Sequence, residues 1–247
     1  SAGLTYRRYD TLLMTLRRLL VYDAVALTAL LWFLGKFVRY AFPPLFGPLQ
    51  TGYGVSNTAV GTAFTGFMLV YALLQFPSGA IADRVGPVRV ITAGAGVAGV
   101  GSLALVVDTP FIVLAGIMLV IGAGTGAHKT VAVRLLARTY PDRAGRVLGA
   151  HDTLGALGGV AAPAAVVLVL TPPPVLAALL ASLPGADWRG LFVATGISAL
   201  AAATVFVLRV PPQPSANAMA PTEADAADPG ATAYPVHFPD PRLAALL

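Results

Sequence analysis

GAIADRVGPVRV, residues 79–90, sets Asp83, Arg84 and Arg89 among glycines and between two long apolar runs. Only 11% of the residues are charged, so such a cluster marks a polar connection between apolar segments. Gly79 lets a helix end approach a neighbour closely, Gly86 permits a turn that a side chain would block, and Pro87 is suited to start a helix. Asp83 suits a helix N-terminus, where unpaired N–H groups favour negative charge. The two arginines hold the connection on the cytoplasmic side. On charge alone the stretch is a tight, positively charged turn.

The flanking runs are long enough to cross a bilayer, which takes about 20 mostly apolar residues. Runs of that kind lie at 24–46, 58–78, 90–107, 111–135, 147–170 and 189–208. With 57% hydrophobic residues and a mean hydropathy of +0.77, the chain has more apolar surface than one soluble core of this length needs. The expected fold is all-α and polytopic, with six transmembrane helices. Residues 1–22, with Arg7, Arg8, Arg17 and Arg18 around several leucines, predict a cytoplasmic amphipathic helix on the membrane surface. Residues 23–209 form the bundle. Residues 210–247, rich in Pro and Ala, predict a disordered cytoplasmic linker or tail. The first apolar run is too long for a cleavable signal peptide and has no small-residue cleavage site behind it.

With the N-terminus cytoplasmic, the inside segments hold twelve arginines and the outside segments only Arg189. That bias sets the orientation in the plasma membrane and returns the C-terminus to the cytoplasm. The net charge of +5 is spread between apolar runs and forms no nucleic-acid stripe. With no cysteine and three scattered histidines, neither a disulfide framework nor a metal site is expected. No cofactor motif is present, and Ser78 in FPSG lacks the context of an intramembrane protease nucleophile. An enzyme is not expected.

GTAFTGFMLVYALLQFPSGAIADRVG, residues 61–86, resembles the second helix and signature loop of the major facilitator superfamily of secondary transporters. Gly79, Asp83, Arg84, Gly86 and Arg89 carry the likeness. GAHDTLGALGGVAAP, residues 149–163, is similar to that family's antiporter pattern on helix five, through Gly149, Gly158 and Pro163. It departs at Ala162, where the pattern has Gly, and at Met118, near where an Arg is common on helix four. The resemblance implies two inverted three-helix repeats, alternating access, and a loop that latches the cytoplasmic side. It also implies a second six-helix half, from another chain or a homodimer. In the family the loop Asp braces a helix of that second half, so Asp83 is expected to find no such partner here.

Charges inside spans are the best pointers to function, since each costs about 2.5–3.5 kcal/mol at a helix centre. Lys36, Arg39 and Lys129 are of this kind, and Lys36 and Lys129 are the only lysines. Lys36, Arg39 and Tyr40 share one helix face. In GAGTGAHKT, residues 122–130, three glycines precede His128 and Lys129 and allow close packing or access to a cavity. In the resembling family both helices line the central cavity, so Lys36, Arg39, Tyr40, His128 and Lys129 are the candidate substrate residues. Arg forks onto carboxylate or phosphate and Lys adds a point charge, which together favour a small anionic solute. The alternative for the lysines is snorkelling or pairing, for instance Lys129 with Asp152. Asp152 and His151 are candidates for coupling to H+ or another ion, or else simply meet water or Arg146. Tyr71 and Gln75 form a polar stripe on the second helix, and the glycines at 94, 96, 99 and 101 are packing surface. The expected function is a secondary active transporter. The alternatives are a non-transporting half that serves as a partner subunit, and an anion channel.

Overall fold

The computed structural model describes residues 2–182 and 187–212. Among them six helical segments are long and apolar enough to cross a membrane. Span one, Tyr22–Tyr53, takes in the C-terminal half of α1 (Ala2–Ala41), a 3-10 turn at Pro43–Leu45 and α2 (Phe46–Tyr53). Span two is α3 (Asn57–Val85) and span three α4 (Pro87–Ala104). Span four is divided into α5 (Phe111–Gly126) and α6 (His128–Thr139). Span five is α7 (Ala144–Leu170) and span six α9 (Trp188–Arg209), with the short α8 (Pro174–Ser182) between them.

Several boundaries differ from the sequence expectation, each for a local reason. No Gly or Pro separates the arginine-rich start from the first span, so α1 runs through both as one continuous helix. Pro43 and Pro44 then end it earlier than expected. The second span continues through Pro77 to Val85, so Gly79, Asp83 and Arg84 lie in its last two turns rather than in a loop. The connection itself is reduced to Gly86, whose φ of 93° is closed to most side chains, with Pro87 opening α4. Asp83 therefore sits at a helix C-terminus, the reverse of the expected N-terminal position. The glycines at 122, 124 and 126 weaken the fourth helix, whose α-helical ladder is interrupted at Ala127. The tail expected over 210–247 lies, from residue 213 on, outside the described residues.

The principal packing pairs are α1 with α7, α3 with α5, and α4 with α9. In spans these are one with five, two with four, and three with six. Exchanging spans one to three for four to six maps this set onto itself, as an inverted three-plus-three repeat requires. Helices in lipid associate by close backbone approach at small residues. A Cβ on Gly122 would stand 2.6 Å from the Phe67 carbonyl oxygen, and one on Gly126 2.5 Å from that of Tyr71. Two glycines one turn apart thus seat α5 on α3.

Buried apolar residues form two clusters. One, at the end where the arginines of α3, α6, α7 and α9 gather, includes Leu31, Ile91, Val131, Leu135, Val147 and Phe206. The other, at the far end, includes Val38, Phe42, Phe67, Ile121, Ala162 and Phe192. Residues 32–36 of α1 and 149–161 of α7 fall between them, in the middle of the bundle.

Candidate solute site

Trp32 occupies this middle layer. It is 2% exposed, and it lies so close to Gly155 of α7 that a Cβ there would overlap the indole. On one side His128 and His151 stack with it, ring centroids 5.8 and 6.3 Å away and nearly parallel. Three cationic groups surround the same ring: Lys36 Nζ lies 5.1 Å, Lys129 Nζ 5.4 Å and Arg39 Cζ 5.5 Å from its centroid. Arg39 also sits 4.2 Å over the Tyr71 ring. A cation over an aromatic face gains about 0.5–1 kcal/mol where exposed and about 2 kcal/mol where desolvated, which offsets part of the cost of holding charge inside an apolar bundle.

The indole, the three cationic groups and Tyr71 line one open cavity of 320 Å³. Span one supplies Trp32, Lys36, Arg39 and Tyr40, α3 supplies Phe64, Met68 and Tyr71, and α6 supplies Lys129. Arg39 is 7% exposed and its Nε has no hydrogen-bond partner among the described residues. Asp152 of α7 approaches from the side, 3.6 Å from Lys129 Nζ and 3.6 Å from His151 Nδ1.

Of the expected substrate residues, Lys36, Arg39, Tyr40 and Lys129 converge on this cavity. His128 does not line it. It is buried behind Trp32 and borders a separate 20 Å³ pocket between α1, α4, α5 and α9, because residue 128 faces away from its neighbour Lys129 across the α6 start. His151 is likewise fully buried behind the indole. Tyr71 of the expected polar stripe joins the cavity, whereas Gln75 is not among its lining residues. Trp32 was missed, although its position four before Lys36 and seven before Arg39 places it on the same helical stripe.

At the arginine-rich end, Asp83 has a partner within the chain: Arg134 of α6 donates to it at 3.0 Å. The same guanidinium passes Gly79, where a Cβ would have ordinary contact distance, so close approach is not what Gly79 provides. Arg84 and Arg89 are exposed. Arg209 pairs with Asp23 at 3.3 Å, and Arg143 donates to the Tyr22 hydroxyl at 3.2 Å, tying α9 and the start of α7 to α1. On α7, Gly158 lies against the Phe33 backbone, Gly149 faces open space, and the helix continues through Pro163.

The sequence model of the Major Facilitator Superfamily matches residues 27–246. The chain belongs to that superfamily. A relative described as a probable sulfoacetate transporter, SauU of Cupriavidus necator, is 27% identical over 148 residues, 60% of this chain and 31% of the relative. Two solved structures share the fold. A bacterial homologue of the human lysosomal transporter Spinster, inward-facing and unoccupied, has a TM-score of 0.67 at 19% identity, over 79% of this chain and 44% of its own. A bacterial homologue of the human drug peptide transporters PepT1 and PepT2 has a TM-score of 0.63 at 15% identity, over 84% and 46%. The chain thus spans less than half the length of each. As a Major Facilitator Superfamily chain it is a multi-pass membrane protein of transporter type, and the six-helix architecture matches one half of the fold.

Proposed function

We propose that this chain holds the solute in a secondary active transporter that moves a small organic anion by alternating access. The observation that carries this reading is the convergence of Lys36, Arg39 and Lys129 on one mid-bundle cavity around Trp32. The Cupriavidus necator relative is described as a probable transporter of sulfoacetate, itself an organic anion, which supports the same direction. In this reading Lys36, Arg39 and Lys129 hold the anion and Tyr40 and Tyr71 form walls. His128 and His151 brace the indole from behind. Asp152, beside Lys129 and His151, is the coupling site for a proton. The Asp83–Arg134 pair is part of the latch formed by Gly79, Asp83, Arg84, Gly86 and Arg89. The arginine-rich end faces the cytoplasm of a plasma membrane, with both termini on that side.

The test is thermal stability of the purified chain in detergent against small organic anions including sulfoacetate. A ligand at a hundred times its dissociation constant adds about 2.7 kcal/mol, and Lys129→Ala should remove most of that gain. Equal stabilisation of wild type and variant would take Lys129 out of the site.

A second reading is a chain that binds the anion but moves it only when joined to another six-helix unit. It is favoured by the low burial of the apolar stretches of spans two and five, 17% and 22% against 56% for span one, which leaves faces for such a unit. Vesicle counterflow separates these readings and the anion channel: exchange by the chain alone supports the carrier, and flux without saturation or exchange supports the channel.

A further inference from the structure

We infer that the Trp32 cavity is matched to an anion carrying two negative charges, one seated by Arg39 and the other shared by Lys36 and Lys129. This rests on the anion reading above and specifies its substrate class. Three cationic groups lie within 5.5 Å of the same indole centroid, and the cavity lining contains no acidic residue. The one carboxylate at hand, Asp152, lies 3.6 Å from Lys129. Among the described residues no ion pair reaches Lys36 or Arg39. With Asp152 ionised, two positive charges are left for the solute to neutralise.

Arg39 is buried and Lys36 and Lys129 are partly buried, so leaving these charges uncompensated is unfavourable and charge balance contributes to selectivity. A monoanion leaves one cation unpaired, and a trianion brings an unpaired negative charge. The cations also divide in space. Arg39 lies against Tyr71, with its Nε unpartnered and its side chain buried, and can present a planar fork to a carboxylate or sulfonate. Lys36 and Lys129 sit over Trp32 as two point charges. A short molecule with an acidic group at each end meets both.

Matched pairs that differ by one charge test this directly on the chain in detergent at pH 7.5: ethanesulfonate against ethane-1,2-disulfonate, and propionate against succinate, with propane-1,2,3-tricarboxylate as the trianion. Each dianion should bind about tenfold or more tighter than its monoanion, the size of a weak buried charge-pair coupling. The trianion should bind more weakly than succinate. Lys36→Gln should shrink the dianion advantage to about threefold or less by weakening the dianion alone. Equal affinity within each pair, or tightest binding by the trianion, would overturn the charge match while leaving an anion site in place. If no anion of any charge binds, the anion reading itself falls and the charge match falls with it. The wild-type comparison needs no variant, so misfolding of Lys36→Gln cannot obscure the result.

Discussion

At the scale of single residues, the site is organised by an uncharged side chain. Trp32 brings three cations to one place by offering a ring face, and Gly155 makes room for it on α7. Gly155→Ala should therefore lower the stability of the chain by about 1–3 kcal/mol, the usual cost of forcing a methyl into a filled space. It should also blunt any stabilisation by anions, since the indole must shift. Gly149→Ala, a few residues away in the sequence motif, faces open space and should be neutral or slightly stabilising. Thermal unfolding in detergent reads both, and an unchanged midpoint for Gly155→Ala would show that Trp32 has room to move.

At the scale of elements, the turn between α3 and α4 is stiff and its ends are tethered. Gly86 and Pro87 fix its backbone, and Asp83 ties α3 to α6 through Arg134. Both partners are partly exposed, so the pair contributes only about 0–1 kcal/mol to stability. Such a contact is well suited to forming in one conformation and breaking in another. Asp83→Asn should change the transport rate more than anion affinity and leave the melting temperature within a few degrees. Equal losses of rate and affinity would remove the latch role. The paired variant Arg134→Gln should give the same phenotype, and the double variant no further loss, because both act on one contact.

At the scale of the whole molecule, two apolar clusters hold the bundle from either end and leave the polar layer between them. The far cluster turns on Phe42, whose ring centroid lies 5.6 Å from that of Phe67 and 5.1 Å from that of Phe192, joining spans one, two and six. Phe42→Ala should cost about 3–5 kcal/mol, as truncation of a fully buried aromatic does. Membrane insertion should be kept, because α1 remains apolar enough without it. A melting temperature unchanged by this substitution would mean that the far cluster does not hold those spans together. The self-mapping pairs of spans place Lys36 on span one and Lys129 on span four in equivalent helices of the two repeats. The pseudo-symmetry thereby brings both lysines to the same central cavity.

Much of this was legible in one dimension. Apolar run length gave six spans, because crossing a bilayer depends on local hydrophobicity. The rarity of charge in spans singled out Lys36, Arg39 and Lys129, since a charge within an apolar run can be recognised without knowing its neighbours. Gly86–Pro87 marked the turn because φ near 93° is local backbone chemistry. What tertiary structure alone decided was which groups meet. His128 and Lys129 are adjacent in sequence, yet one stacks behind Trp32 and the other faces the cavity. Asp83 met Arg134 on a helix far away in the chain. Contacts of this kind are set by how closely backbones pass at Gly122, Gly126, Gly155 and Gly158, and a glycine in the sequence does not say which neighbour it admits.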